Sequence, residues 1–574
     1  MFMSSEIENQ QKHGITRRQF FKGSAAVAVT VAAGGILAGC GSTEEEDKKA
    51  SGSTEKTGYS FETPPEPIKN IAKEETADII VVGSGMSGLT TACSAAENGA
   101  KVILISGSSA PISRGGSNQA TNSKVMRELG VEPFDVVKKF QREYLAASYR
   151  VDQKKWAKYY HKSEEAMDWL IAKVEAKGIK VTLERDNSDE SGVICAHGFV
   201  PPDAGEGEMV SSGQQSVVEA LDSYCKDAGV KLVYNTVGKQ LVRKDDNKGR
   251  VTAVIAEQDG KYIKYNGKKA VVLATGDFSA DKEMMSKYCP WVLPLMPEEE
   301  SETDYNRGFA LGGLFKGDGQ KMGLWVGAGW QKTWPNAPML QGQWGGGHEP
   351  LGFHAGLVVN TDGERFYNED ISAPYSSTIL LSQKDYTAYG IWGQNFAKAL
   401  VDSGREWHSF GQTYTDPAYT PEQMIQTWDA GVESKTYFKA DTIEDLVKQL
   451  GLPEEETLAT VKHYNELCKK GQDDDFFKDS GLMIPVENGP FYASKNTPIF
   501  MTVMGGLNTD VNMQVLDPED NPIPGLFNVG QMVGDVYANT YNFAIPGQSL
   551  GGNCLTYGFN LGRDLATDAI EANK

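Results

Sequence analysis

The chain has 574 residues and a net charge of −21, from 56 Lys and Arg against 77 Asp and Glu. That sign excludes a nucleic-acid partner, because neutralising phosphate needs a basic surface. At 40% hydrophobic and 23% charged residues, the composition is ordinary and globular, excludes general disorder, and at ~100–200 residues per domain fills more than one domain. The seven cysteines form no CxxC pair, which argues against a zinc site, a ferredoxin-type cluster or attached c-type haem, and no metal is expected.

From the N-terminus, Arg17-Arg18-Gln19-Phe20-Phe21-Lys22 leads into an apolar run from Ser24 to Gly39, followed by Cys40. The run is shorter than the ~20 residues a spanning helix needs. Its charged start, short apolar stretch and small-residue end over 1–39 read as an export signal. The paired arginines resemble a twin-arginine signal, and Leu37-Ala38-Gly39-Cys40 resembles a lipobox. Together they imply a lipidated Cys40 that anchors an exported body to the outer face of the cell membrane. The signal carries a net +2, leaving −23 for the body from Cys40 onward, a sign that disfavours broad contact with anionic lipid. Residues 40–76, with Thr43-Glu44-Glu45-Glu46 and Thr63-Pro64-Pro65-Glu66-Pro67, read as a solvated, disordered tether. Export of a folded protein raises the expectation of a tightly bound cofactor.

Ala77-Asp78-Ile79-Ile80-Val81-Val82 is a short apolar strand that runs into Gly83-Ser84-Gly85-Met86-Ser87-Gly88. A helical stretch to Asn98 and a second strand, Lys101 to Ile105, follow. In this context the glycines read as a dinucleotide fingerprint: Gly83 for the tight turn, Gly85 for approach of a pyrophosphate to the helix N-terminus, Gly88 for close packing. The acidic residue that commonly binds ribose after the second strand is here Ser106.

Further along stand Arg114-Gly115-Gly116-Ser117-Asn118-Gln119-Ala120-Thr121-Asn122, a buried strand ending Ala274-Thr275-Gly276, and Gly317-Asp318-Gly319 opening a helix. Near the C-terminus come Pro524-Gly525-Leu526-Phe527-Asn528-Val529-Gly530-Gln531 and Ser549-Leu550-Gly551-Gly552-Asn553-Cys554-Leu555. This ordered set, spanning residues 77–574, resembles the flavoprotein family of fumarate reductases, urocanate reductases and 3-ketosteroid dehydrogenases. The resemblance implies an α/β fold: a Rossmann-like FAD-binding domain, split in sequence over 77–353 and 501–574, with an inserted α+β capping domain over 354–500. It also implies non-covalent FAD. Carried over by position, Gly83, Gly85 and Gly88 go to the pyrophosphate and Ser106 to the ribose. Gly115, Gly116, Ser117, Asn118, Thr121 and Asn122 go to the flavin face, and Val237 to the adenine region. Gly276, Asp318, Gln531, Ser549, Leu550, Cys554 and Leu555 supply the remaining contacts.

Within the insert, Ile425, Trp428, Leu446, Leu450, Leu458, Val461, Tyr464 and Leu467 recur at helical spacing and read as core. The dicarboxylate reducers of the family hold substrate with two arginines and a histidine. At those places this chain has Ser549, Ala397 and Thr502, and recognition of a carboxylate without cations is disfavoured. The resemblance therefore implies a reductase of an activated C=C bond in an apolar or steroid-like α,β-unsaturated carbonyl compound, by hydride transfer from flavin N5. The ketosteroid dehydrogenases carry Tyr-Pro-Gly where this chain has Ile545-Pro546-Gly547, with Tyr541 just before it. Candidate proton or hydrogen-bond donors are Tyr541, Tyr375, His354, His348 and Arg405. The aromatic-rich stretch 325–354, with Trp325, Trp330 and Trp334, suits a flat apolar ligand or an ordinary core. An external electron donor is expected, either a quinol-linked cytochrome or a flavin-carrying protein. Two other readings stay open: a ketosteroid-type dehydrogenase working oxidatively, and a lipid-anchored flavin electron carrier without catalysis of its own.

Overall fold

The computed structural model describes residues 58–131, 136–185, 195–204, 213–300, 302–308, 312–342, 356–371, 373–403, 412–541 and 547–570. Strand β1 (Ile71–Val82) leads through a glycine turn into helix α1 (Met86–Glu97) and then β2 (Val102–Ile105). This right-handed unit sits at the centre of an eight-stranded sheet. Going outward, β2 pairs with β6 (Lys231–Val233), while β1 pairs with β9 (Lys261–Leu273), which is followed by β18 (Pro522–Asn528) and β17 (Gln514–Leu516). The run from β6 to β18 is parallel. The inner ends of these strands are continuous apolar runs, Ile79–Val82 and Ala270–Leu273, because helices and loops cover both faces. A β7–β8 ribbon, β7 (Val237–Arg243) and β8 (Val251–Gln258), attaches to the first half of β9.

Residues 58–76, expected within a tether, are part of the folded body. Phe61 is buried against Phe278 and Tyr288, and Ile71–Thr76 extends β1 by pairing with Tyr262–Asn266. The reason is the length of β9, whose first half presents an open ladder. The charged residues of the extension point to solvent, where Glu75 pairs with Lys73 and Lys231.

A second sheet holds β3 (Asn118–Gln119), β5 (Ala196–Val200), β4 (Lys180–Arg185) and β13 (Gln412–Thr413). It lies beside the long helix α2 (Gln153–Glu175) and helix α3 (Gln214–Asp227). Chain from within 354–500 thus joins the flavin part edge to edge, Thr413 opposite Glu184. The two crossings between the parts run together as β10 (Ala337–Gln341) and β16 (Ile499–Met504), an antiparallel pair.

The intervening segment builds its own four-stranded antiparallel sheet, in the order β11 (Leu357–Asn360), β12 (Ala388–Gly393), β15 (Phe491–Asn496), β14 (Tyr437–Ala440). Helices α5 (Pro421–Glu433), α6 (Ile443–Leu450) and α7 (Glu454–Lys470) cover it. Trp428 packs with Trp392 and Tyr492 in one cluster, and Leu446, Val461 and Tyr464 with Leu357 and Ile391 in another. Thr420 caps α5 in a capping box with Gln423. Buried Arg365 bridges Glu369 at 2.8 Å and Asp473 at 2.9 Å, so the charge is paired where water is excluded.

Candidate flavin site

The carboxyl ends of β1, β2 and β9 converge on one edge of the large sheet, where a cleft opens to solvent. Gly83 makes the turn out of β1 at φ +116, and a Cβ there would stand 2.2 Å from the Ala274 carbonyl oxygen, so only glycine lets β1 and β9 end this close. Helix α4 (Asp318–Trp325) starts at the same edge. The cleft is lined by Gly83, Gly85, Ser106, Val237, Gly276, Asp318, Gln531, Leu550 and Cys554, all expected from sequence. Gly88 lies one turn behind, where a Cβ would meet the Gly83 carbonyl oxygen. The N-terminus of α1 has Gly85 at its cap and no side chain on its amides, which leaves them to an anion.

Where a carboxylate commonly meets ribose, three buried hydroxyls stand together. Ser84 lies 2.9 Å from Ser106 and 3.1 Å from Ser108, with Ser106 and Ser108 2.9 Å apart. Arg114, Thr236, Tyr305, Phe315 and Met322 also line the cleft and were missed. Arg114 was within view, since it opens the Gly115-Gly116 motif. Burial lowers its guanidinium to about 10, against the pull of Asp277 and Asp304. Burial also pushes the Cys554 thiol up to about 12, so it serves as a neutral wall.

The other end of the site is assembled from distant segments. A π-helical turn, Ser549–Thr556, precedes the last helix α8 (Tyr557–Ala566). It packs on β3 so closely that a Cβ at Gly551 would stand 1.8 Å from the Gln119 carbonyl oxygen. Helix α2 floors this layer: the Tyr159 hydroxyl donates to Gln119 at 2.7 Å, and Lys155 Nζ donates to the Gly534 carbonyl at 2.7 Å. His197 on β5 ties the layer to Ser123 at 2.6 Å, its other ring nitrogen facing the carbonyls of Asn118 and Cys195. Burial depresses its pKa to about 4, so the ring is neutral at physiological pH.

Several residues expected to contact the flavin make bonds or packing contacts within the protein. The Ser117 hydroxyl donates to buried Glu184. Asn118 Nδ2 donates to Gln214 at 2.9 Å. Thr121 belongs to α2 through Tyr160 and Ser163, and Asn122 forms a left-handed turn whose carbonyl accepts from Arg127. Gly115 lies against Leu550, Gly116 is half-buried outside the cleft, and Leu555 is core. The physical cause is the pairing of β3 with β5, which turns this segment into sheet.

Gln548 Oε1 and Nε2, Ser549 Oγ, Asn553 Oδ1 and Nδ2, and Asn118 Oδ1 are nonetheless buried in this layer without a protein partner. Buried polar atoms without a partner cost on the order of 1–3 kcal/mol each. A flavin edge, with its carbonyls and N–H, matches such a set. The residues present therefore fit FAD, with glycine turns and a bare helix N-terminus at one end and unsatisfied amides at the other.

Among the candidate donors, Tyr541 is buried and belongs to this layer. Its hydroxyl oxygen accepts the Ser549 amide at 3.1 Å and its ring meets Tyr537 edge-on at 4.8 Å. Burial raises its pKa above the ordinary phenol value, with the backbone amides of Ser549 and Gln548 pulling the other way. Tyr375 is half-buried in a helix, Ala373–Leu380, and does not line the cleft. His348, His354 and Arg405 lie outside the described residues. Of the aromatic stretch, Trp330 stacks on Tyr288 at 3.7 Å and Trp325 donates to the Phe61 carbonyl, both serving the core. Thr502 donates to buried Asp277, and Ala397 is buried in a helix.

The family described as FAD binding domain matches residues 78–551. A vinyl phenol reductase of Lactiplantibacillus plantarum is 27% identical over 522 residues, covering 87% of this chain and 98% of the relative. A urocanate reductase of Eggerthella lenta is 28% identical over 472 residues, covering 80% and 70%. The crystal structure of a 3-ketosteroid-Δ4-(5α)-dehydrogenase from Rhodococcus jostii RHA1 has the same fold, with a TM-score of 0.64 at 22% identity over 88% of this chain and 99% of that one. The chain belongs to the FAD binding domain family, and it is an FAD-dependent oxidoreductase of the kind that acts on CH–CH and C=C groups.

Proposed function

We propose that the protein reduces a neutral C=C bond conjugated to a carbonyl or an aromatic ring, and that it does so as an exported, lipid-anchored enzyme fed by a membrane-linked electron donor. FAD, when bound, supplies the hydride. Gly83 and Gly85 with the α1 N-terminus would hold its diphosphate, and Gly88 lets α1 pack close behind them. Gln548, Ser549, Asn553 and Asn118 hold the edge of its ring. Tyr541 carries its proton at neutral pH, and burial makes the phenol a weaker acid than usual, so its role is to donate a hydrogen bond or a proton to a strongly basic, carbanion-like centre rather than to act as a base.

The observation that carries this reading is the lack of charge at three places. Ser549, Thr502 and Ala397 stand where dicarboxylate reducers of the family use cations, and the polar groups described at the ring end, Gln548, Ser549, Asn553 and the Tyr541 phenol, are neutral. A neutral substrate needs no counter-ion, and the conjugated vinyl arene named by the Lactiplantibacillus relative joins enones as its class. Export and anchoring rest on Arg17-Arg18 and Cys40. Among the described residues no helix is long and apolar enough to cross a membrane; the attachment proposed, a lipid on Cys40, rests on the sequence alone.

The test is anaerobic. Protein reduced with dithionite is mixed with vinylphenols, enones, a steroid enone, fumarate and urocanate, and flavin reoxidation is followed at its visible band. Reoxidation by the neutral compounds and not by fumarate is expected. Reoxidation by fumarate alone, or by none of the panel, refutes the reading.

A further inference from the structure

Residues 302–308 form an exposed strap across the adenosine end of the cleft, and Tyr305 is the residue that turns inward. Its ring lies over Gly107, where an added Cβ would come within 2.9 Å of it. Its phenol donates to Asp318 Oδ2 at 2.7 Å. Asp318 itself lines the cleft at the start of α4. Among the described residues, the hydrogen bonds holding residues 304–307 to the body all use side chains. Arg114 donates to the carbonyls of Tyr305 at 2.8 Å and Arg307 at 3.1 Å, and Asn306 Oδ1 accepts both the amide and the hydroxyl of Ser109 at 2.8 Å. Arg114 is in turn fixed by stacking on Phe315, 4.3 Å from the ring centre.

We propose that this strap is a latch on the cofactor, with Tyr305 as a positioning residue that closes over the adenosine half of FAD and Arg114 as its hinge pin. The inference rests on FAD occupying the cleft. Side-chain bonds of this kind open without breaking a β-ladder, so the strap can swing while the sheet stays whole. Closed, the aromatic ring, held by its bond to Asp318, would shield the adenosine from water, which slows release more than entry. The glycine turns then provide the shape of the site, and the strap sets how long the cofactor stays.

The test uses the full chain, stripped of flavin and reloaded with FAD. Release is followed on dilution by the rise of flavin fluorescence, and melting of each apoprotein is recorded in parallel. Tyr305→Ala is expected to release FAD at least about tenfold faster with an unchanged apoprotein melting temperature. Tyr305→Phe, which keeps the ring and loses the bond to Asp318, is expected to fall between. Equal release from wild type and Tyr305→Ala overturns the latch. Failure of the wild type to take up FAD overturns the cofactor assignment and the latch with it.

Discussion

The two ends of the flavin site are built on different principles. The adenosine end is made by one local unit, β1, its glycine turn, α1 and β2, with β9 alongside. Its groups are backbone amides and small hydroxyls whose positions follow from the sheet. The ring end is made from β3, α2, β5 and the turn before α8, and its groups are side chains that meet only when the whole body has folded. A backbone site tolerates little change at its glycines but needs no particular neighbours, whereas a side-chain site depends on every segment that aims a residue at it.

The sharpest way to separate the ends is to remove the phenol at one while leaving the other whole. Tyr541→Phe keeps the ring against Tyr537 and loses only the hydroxyl. Turnover is expected to fall about 100- to 10,000-fold with full FAD content, as measured by flavin absorbance and stopped-flow reoxidation. Because burial raises the phenol above its ordinary value, the wild-type rate should stay level on the alkaline side through pH 9. An unchanged rate in Tyr541→Phe moves the proton donor elsewhere.

The complementary experiment breaks the adenosine end. A Cβ at Gly85 meets nothing nearer than the Ile112 carbonyl at 3.9 Å, so the protein has room for a side chain that a bound diphosphate does not. Gly85→Val is expected to leave apoprotein melting unchanged and to weaken FAD about 100-fold, some 3 kcal/mol, as read by calorimetry. Normal affinity would show that the diphosphate sits elsewhere.

The smallest effect concerns acid. His197 is held neutral at the ring end, with a pKa of about 4 against an ordinary 6.5. The unfolded chain therefore takes up a proton that the folded one refuses between those values. Stability contributed by this site is complete above pH 6.5, falls as pH drops toward 4, and is level below. The loss is about 3 kcal/mol. Urea unfolding of wild type and His197→Asn at pH 7, 5.5 and 4 reads it as a difference that shrinks with acid. A constant difference would mean the imidazole titrates in the fold as it does in the unfolded chain.

Legibility in the sequence follows the same division. Gly83, Gly85 and Ser106 could be read because strand, turn and helix lie within thirty residues and each glycine answers a local steric demand. Asp318, Gln531 and Cys554 came from motif order, and they do reach the cleft. Tyr305 had no signal, since one inward tyrosine in a polar strap looks like any surface loop. Glu184 and His197 had none either, because their burial depends on β5 pairing with β3 on one side and β4 on the other. The bonds of Thr121 to Tyr160 and Ser163, and of Asn122 to Arg127, were equally out of view. The strand extension Ile71–Thr76 was hidden by its charges, which alternate with nothing apolar until β9 is there to pair with them.

The placement of β18 has a consequence for biogenesis. It lies parallel beside β9 in the same sheet as β1, yet it and the π-helical turn come from roughly the last 50 residues of the chain. A ribosome delivers the adenosine half long before the segments that close the sheet and face the ring. Until then β9 presents an unpaired edge, the kind of surface that recruits other chains. Loading of the cofactor therefore waits for the chain beyond residue 521, and a chain stopped there would be an aggregation hazard rather than a half-active enzyme.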